Sequence, residues 1–415
     1  MVFGCPLFSV LANKFGLKNT LILGCLGYAP YSASLYVNNR YGTEWFVIFG
    51  GVTCGIAASA LWASEGAIAL GYPTVGDRGK FTGIWLGLRE LGQLIGSSIQ
   101  LSLNVKADKR GKVGYSTYLI LIGLQCLGLP LAFLISKPEQ VIRGDGTRIP
   151  DPTKGKVISK EFGKLFRLLR TKRVFLLIPI LVGFNWNNSY QSIYMTNYFS
   201  VRARALGALM SGIMATIANV FWGWFLDLKC FSRPTVTKIV WFTLMTMMLG
   251  CFAWQTTNEH RYSNTSPKIT LDWSSPEFGR AFAVNTLFRF LNESHYMFVY
   301  FMVGTFNNDV ETLTLTVGIV RCFESVGSAV SFGIGAARVA PMVNLIVAFV
   351  MFCLCIPTTT MVVWLVPEHP DDIDPTRLSD IEDEDVPAGG EVAAVEPEKY
   401  ALAAVASTVA STPKP

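Results

Sequence analysis

Charge is scarce in this chain. Asp, Glu, Lys and Arg make up only 15% of its 415 residues, against roughly 25% in a soluble globular domain. Histidine is rarer still, with three residues scattered at 260, 295 and 369. The nine cysteines fall mostly inside apolar runs (Cys25, Cys54, Cys126, Cys251, Cys322, Cys353, Cys355), with Cys230 beside one. No cysteines pair up outside those runs to form a disulfide framework, and no Cys/His spacing matches a metal site. A phosphate-binding glycine loop is missing, which disfavours an ATP-driven pump. Neither a hydrolase elbow nor a zinc signature is present. The expectation is a protein that is not an enzyme and has no cofactor, no metal and no nucleic-acid partner.

Apolar residues are what the chain has instead, at 51% of the sequence with a mean hydropathy of +0.39. Runs near or above eighteen residues recur, each long enough to cross a bilayer core of about 30 Å. Ten full spans are expected at 20–37, 45–70, 80–104, 116–136, 174–196, 205–226, 238–256, 278–304, 312–336 and 341–366. A large soluble protein with ten such buried helices would lack the charged surface to cover them. The fold class is therefore an all-α polytopic membrane protein, with the lipid bilayer as its first partner.

Two hinges organise the spans. Ser9-Val10-Leu11-Ala12-Asn13-Lys14-Phe15-Gly16-Leu17-Lys18 separates two apolar runs, and Gly223-Trp224-Phe225-Leu226-Asp227-Leu228-Lys229 repeats its logic. Two related hinges imply two related halves, as in many secondary transporters. The pattern resembles the loop between helices two and three of the major facilitator superfamily, echoed between helices eight and nine. That family expects Gly-x-Leu-Ala-Asp-Arg-x-Gly-Arg. Here Ser9 replaces the first Gly and Asn13 the Asp, so the first copy is expected to lack its charge-pairing acid. The second keeps Gly223 and Asp227. By this resemblance residues 1–12, too short to span, are a stub of helix two, and helix one is absent from the sequence. The expected architecture is a two-bundle fold of ten full helices plus that stub.

Loop charges set the orientation. With the first hinge in the cytosol, inward loops carry 18 Lys and Arg and outward loops 11, in the sense of the positive-inside rule. Asn264-Thr265-Ser266 is a glycosylation sequon in an outward loop. Asn187-Asn188-Ser189 and Asn292-Glu293-Ser294 match the same pattern inside spans, where glycosylation does not reach.

Four regions follow: an incomplete N-terminal bundle over 1–136, a basic cytosolic linker over 137–173, a six-helix C-terminal bundle over 174–366, and a tail over 367–415. The linker holds eleven basic residues and ends in a helix-like stretch, SKEFGKLFRLLRTKR. Phe162, Leu165, Phe166 and Leu169 are expected on one face, as in a helix lying on an anionic leaflet; a solvated linker is the alternative. The tail carries 12 acidic against 3 basic residues, a composition expected to stay disordered in the cytosol.

Polar groups at membrane depth are costly and mark function by default. The span 174–196 carries Asn185, Asn187, Asn188 and Gln191, and 278–304 carries Arg289, Asn292, Glu293 and His295. Glu65 lies in 45–70. Of these, Glu65, Asn185, Asn187, Asn188, Gln191, Arg289, Glu293 and His295 are the transport-pathway candidates, because helices four, seven and ten line the cavity in the superfamily that the hinges resemble. Arg89 and Glu90 in 80–104, Asp227, and Arg321 with Glu324 in 312–336 are candidates for gating or interface roles. Each has a plainer reading. Arg289 and Glu293 are spaced i,i+4 and Arg321 and Glu324 i,i+3, so each pair can neutralise itself on one helix face. Glu65 can be wetted by lipid headgroups, and Asn and Ser act as interhelical glue. Gly83-Ile84 with Glu90 and Gly92 echoes Gly318-Ile319 with Glu324 and Gly327, a second internal repeat.

Gly55-Ile56-Ala57-Ala58-Ser59-Ala60-Leu61-Trp62-Ala63-Ser64-Glu65-Gly66, continuing through Asp77-Arg78-Gly79-Lys80-Phe81 to Trp85, is similar to the signature of the unc-ninety-three-like family in its fungal branch. That signature more often has Gln where Glu65 stands. The resemblance spans residues 1–366 and implies an integral multi-pass protein of the plasma membrane or an endomembrane. Two functions are expected. One is a secondary transporter of a small solute, with Glu293 and His295 as proton relay and Asn185–Gln191 binding the solute. The other is a scaffold or trafficking regulator of partner membrane proteins, the role the resemblance implies for animal relatives.

Overall fold

The computed structural model describes residues 1–104, 115–143, 146, 149, 157–228, 230–265, 269–306, 309–337 and 339–368. The basic stretch 106–112, Ser266 of the sequon, part of the linker and almost all of the acidic tail lie outside them. Fifteen α-helices are described. In the first half these are α1 (Gly4–Phe15), α2 (Leu17–Cys25), α3 (Tyr28–Tyr41), α4 (Glu44–Gly71), α5 (Arg78–Asn104), α6 (Tyr115–Cys126) and α7 (Gly128–Phe133). Helix α8 (Ile158–Arg170) belongs to the linker. The second half has α9 (Lys172–Gly183), α10 (Asn187–Tyr198), α11 (Val201–Leu226), α12 (Arg233–Ser263), α13 (Phe278–Phe306), α14 (Val310–Ala336) and α15 (Pro341–Trp364).

Among the described residues, α4, α11, α12, α14 and α15 are each long and apolar enough to cross a membrane. The other five expected spans differ for identifiable reasons. Helices α5 and α13 have the length but carry charges at mid-helix. The runs 20–37, 116–136 and 174–196 are each broken in two, at Leu26–Gly27, Leu127 and Phe184–Trp186. A glycine lies in or beside each break (Gly27, Gly128, Gly183), and glycine is a weak helix former.

Apolar side chains are distributed as if lipid were the solvent. The inner face of α4 is a stripe of small residues (Ala57, Ala58, Ala60, Ala63, Ser64, Ala67), all buried. Its Ile48, Phe49, Val52 and Ile56 are exposed. Small residues let neighbouring helices approach, which α4 uses against α1, α2, α3 and α14.

The halves meet at two equivalent crossings. Helix α5 packs on α11, and α1 packs on α14. At the first, a Cβ on Gly83 would lie 2.6 Å from the Asn219 carbonyl oxygen and 3.0 Å from Gly223 Cα. At the second, Gly318 faces Ser9. Both hinges turn where expected, the first at Gly16, whose φ of 90° suits only glycine.

The linker helix α8 docks on α1 and α14. Leu165 and Leu168 are buried there with Val10, Val174, Leu315 and Ile319, and Phe162 and Leu169 pack at the edge. Phe166, expected on that face, is 58% exposed. The buried stripe of α8 runs through 161, 165 and 168, rotated from the expected one, because it follows a protein surface on two sides. Glu161 on this stripe stands beside the hinge position that lacks its acid. It accepts a hydrogen bond from Asn13 Nδ2 at 3.0 Å, so the acid missing from the first hinge is supplied by the linker.

In the second half α9 lies between α14 and α15. Gly327 faces the Val182 backbone and Gly183 faces Cys355 Sγ. The matching face of α5 is bare: Gly92 meets nothing within 4 Å, and Ile84, Leu88, Leu91 and Ile95 are exposed.

Candidate functional site

Helices α5 and α13, one from each half, exchange charges at mid-helix. Arg89 Nη2 lies 2.6 Å from Glu293 Oε2 and 2.8 Å from Glu90 Oε1. Arg289 closes the ring at 3.2 Å from Glu90 and 3.1 Å from Glu293. It also donates to Gln93 Oε1 at 3.3 Å, and Asn219 Nδ2 on α11 donates to Glu293 at 3.3 Å. Two guanidiniums and two carboxylates thus neutralise one another across the boundary between halves. Both carboxylates are buried and neither arginine is more than a quarter exposed, so removing any one member would leave the ring with an unbalanced charge in low dielectric.

A second cluster joins α14 to α4. Arg321 Nη1 donates to Glu324 Oε2 at 3.0 Å, and Arg321 Nη2 stands 3.9 Å from Glu65 Oε1. The guanidinium lies over Trp62 at 3.9 Å from the ring centroid, with Tyr300 at 5.0 Å and Tyr296 at 5.2 Å, within cation–π range. Tyr296 also faces Arg89 at 4.6 Å and Trp62 faces it at 5.8 Å, so these two rings stand between the two clusters. Here one cation serves two carboxylates.

The amide run sits where the helix breaks between α9 and α10. Ser331 Oγ on α14 donates to the Trp186 carbonyl at 2.7 Å, and Ser189 Oγ donates back to the Ser331 carbonyl at 3.1 Å. These two bonds tie the start of α10 to α14. Asn188 accepts from Asn292 Nδ2 and donates to Asn185 Oδ1, both at 3.0 Å. Asn187 and Gln191, spaced i,i+4, have no hydrogen-bond partner for either amide atom among the described residues. Trp186 Nε1 and Asn292 Oδ1 beside them are unpartnered as well.

Two expectations meet a different geometry. His295 is buried between the Trp241 and Phe352 rings, with Nδ1 against the Leu291 carbonyl at 2.8 Å. It takes no part in the charge ring, because residues two apart on a helix do not share a face. A Glu293–His295 relay is therefore not assembled here. Asp227 lies at the hinge, outside the clusters, and accepts from the Gly79 and Lys80 amides at 3.1 and 2.5 Å. Burial pushes its carboxyl up to about 6, against the pull of those two amides.

Sequence reasoning missed Trp62, Tyr296 and Tyr300 as the aromatic walls, although Trp62 stands in the quoted signature. It also missed Glu259, which is fully buried and accepts from the Tyr190 and Tyr198 hydroxyls at 2.6 and 2.9 Å. An acid in a run otherwise read as an outward end was the available signal. A cavity of about 760 Å³ reaches Glu65 between α2, α4, α5 and residues 135–143, walled by Ile68, Phe81, Ile84, Trp85 and Leu88.

Comparisons with known proteins agree with this architecture. The profile of the Major Facilitator Superfamily matches residues 1–271. Notoamide biosynthesis cluster protein O′ of Aspergillus versicolor is 30% identical over 363 residues, covering 87% of this chain and 78% of that protein. An UNC93-like protein of Schizosaccharomyces pombe is 27% identical over 85% of this chain and 71% of its own length. UNC93-like protein 1 of Arabidopsis thaliana is 28% identical over 87% and 80%. Among solved structures, the Escherichia coli fucose:proton symporter FucP superposes with a TM-score of 0.58 at 12% identity, covering 88% of each chain. The proton:xylose symporter XylE gives 0.58 at 13% identity over 88% and 84%. At such identities the solved neighbours speak for the fold alone. That fold, with its apolar helices, is that of an integral, multi-pass membrane protein.

Proposed function

Because the chain belongs to the Major Facilitator Superfamily, we propose that it is a secondary transporter carrying a small solute by alternating access. The observation that carries this reading is the charge ring of Arg89, Glu90, Arg289 and Glu293. It ties α5 to α13 across the two halves, where a change of access must break and remake contacts. Each pairing has an alternative partner in the same ring, so the halves can shift without leaving a charge bare. The unpartnered amides of Asn187 and Gln191 offer neutral hydrogen bonds to the solute, and the names of the solved neighbours make proton coupling a natural extension. The bare face of α5 supports reading residues 1–136 as a bundle one helix short. The acidic tail and the 137–173 linker are assigned to the cytosol on loop charge, in the plasma membrane or an endomembrane.

A scaffold or trafficking partner of other membrane proteins is the second reading. It is favoured by the balance of the same ring, since four mutually neutralised charges also make a static brace. Uptake by proteoliposomes under an imposed pH gradient separates the two. Glu293→Gln in a transporter should abolish gradient-driven uptake at normal membrane insertion. In a brace it should strand Arg89 and Arg289 and lower the amount of folded protein. Normal folding with unchanged uptake would remove the ring from both roles.

A further inference from the structure

The two charge clusters are not equivalent. The ring between α5 and α13 holds two cations and two anions. The cluster between α14 and α4 holds Arg321 alone against Glu65 and Glu324. One carboxylate is therefore in excess at membrane depth, where an uncompensated charge is not sustained.

The neighbours do not supply the missing cation. The titratable groups facing the cluster are Cys5 on α1, Cys25 on α2, Tyr28 on α3, Arg89 on α5, and Glu293 and Tyr300 on α13. The thiols and phenols are neutral at ordinary pH. Arg89 is the one cation among them, and it is taken by Glu90 and Glu293. Glu293 adds a further negative charge.

Unpartnered atoms point into the cluster. Glu324 is 5% exposed, and its Oε1 has no hydrogen-bond partner among the described residues. Glu65 Oε1 and Arg321 Nη2 have none either, and at 3.9 Å they are too far apart to bond directly. Arg321 gives its hydrogen bond to Glu324, so Glu65 is left with the neutral Trp85 indole and no charged donor in hydrogen-bond reach. Glu65 also lines the 760 Å³ cavity, which gives an ion a path to it that Glu324 lacks.

We propose that Glu65 and Glu324, sharing the single Arg321 guanidinium inside the Trp62–Tyr296–Tyr300 cage, form a proton-binding site, with the proton taken up on Glu65 from the cavity. Binding is a plain association: a solvent proton adds to a carboxylate oxygen and no other bond changes. Protonated, the cluster is neutral, with Arg321 paired to Glu324. Deprotonated, Glu65 draws Arg321 toward α4 and away from Glu324 and the Tyr296 and Tyr300 rings of α13, which couples proton occupancy to the α4–α14 contact between halves. The use of this site in transport rests on the reading above, but its existence does not.

Infrared difference spectroscopy on the full chain in lipid, between acidic and alkaline buffer and with no solute gradient, tests the site directly. Wild type should show, beyond the titration of Asp227 and the exposed carboxylates, the C=O stretch of a buried neutral carboxylic acid that disappears on alkalinisation. Either Glu65→Gln or Glu324→Gln should remove that signal, because one remaining carboxylate satisfies one guanidinium and needs no proton. The prediction is sharper than a one-residue assignment, which would leave the signal intact in one of the two variants. Persistence of the signal in either variant overturns the shared site. Should the variants fail to fold, Glu65→Asp and Glu324→Asp take their place, since each keeps a carboxyl: the band should shift in both, and a band unmoved in either overturns the site. A signal replaced by sodium or potassium at constant pH overturns it in favour of a metal cation. Uptake is measured separately, so a failed site and a failed transporter reading give different results.

Discussion

The crossing of α5 on α11 and the crossing of α1 on α14 are built from the same hinge pattern, yet they are held differently. At the first, glycine meets glycine and Asp227 caps the start of α5 with both carboxylate oxygens. At the second, Gly318 meets Ser9, and Asn13 donates to the Glu311 carbonyl at 3.3 Å and to Glu161 at 3.0 Å. Lys164 then bridges Glu311 at 2.6 Å and Glu161 at 3.5 Å. Burial alone would lower the Lys164 ammonium, but the two carboxylates outweigh it and hold it above its ordinary value. The acid has moved from hinge to linker, and with it control of that crossing. A substitution in the linker reaches α1–α14 and leaves α5–α11 untouched.

The largest expected effect is at the glycine pair. Gly83→Val would press a side chain onto the backbone of Asn219 and Gly223, which cannot yield without parting the helices. A loss of about 3 kcal/mol is expected, the upper end for overpacking, read by thermal unfolding in detergent. Gly318→Val should lose less, because what it meets first is the Ser9 side chain, and Ser9→Gly should recover part of the loss. Equal losses at both crossings, with no recovery, would dissolve the distinction.

Next comes Asn13→Asp, which restores the acid that the family pattern expects. Here it would place two carboxylates about Glu161, and a cost on the order of 2 kcal/mol is expected after screening by Lys164. The loss should fade on acidification, as two carboxylates share a proton, and Glu161→Gln should reverse it. Stabilisation by Asn13→Asp alone would show that the linker does not supply the acid.

Asp227→Ala should cost about 1 kcal/mol, the usual value of a lost helix cap. Asn13→Ala should cost less, since Glu161 keeps Lys164. Thermal unfolding of the two variants side by side checks the order.

The smallest effect is in pH dependence. Asp227 has a native value of about 6 against an ordinary 3.8, so the folded chain holds this proton more tightly than the unfolded one. Its contribution to stability is complete below the ordinary value and is lost as pH rises through about 6. Asp227→Asn should flatten the stability profile across that window and leave it unchanged above. A slope that survives the substitution belongs to another group.

Much of this was legible before any coordinates. The two hinges, the intrahelical pairs Arg289–Glu293 and Arg321–Glu324, and the repeat linking Gly83 to Gly318 all follow from spacing along one helix, where periodicity fixes the neighbours. The pairing of Arg89 with Glu293 did not follow, nor did the cage around Arg321, because they depend on which helices cross and at what height. His295 is instructive in the same way. It stands two residues from Glu293 in sequence, and the helix turns it into the aromatic core.

By itself the sequence determined a polytopic helical membrane protein of two related halves, since transfer free energy and helical period act on each segment alone. It also showed which charges interrupt apolar runs, Arg89, Glu293 and Arg321 among them, though not that Glu259 is buried. Tertiary structure decided how those charges are shared. A guanidinium finds its carboxylate by distance, and 2.6 Å between Arg89 and Glu293 across 204 residues of chain is a fact of packing. The balance of one cluster and the imbalance of the other arise at that level, because charge neutrality inside a membrane is a property of a place and not of a segment.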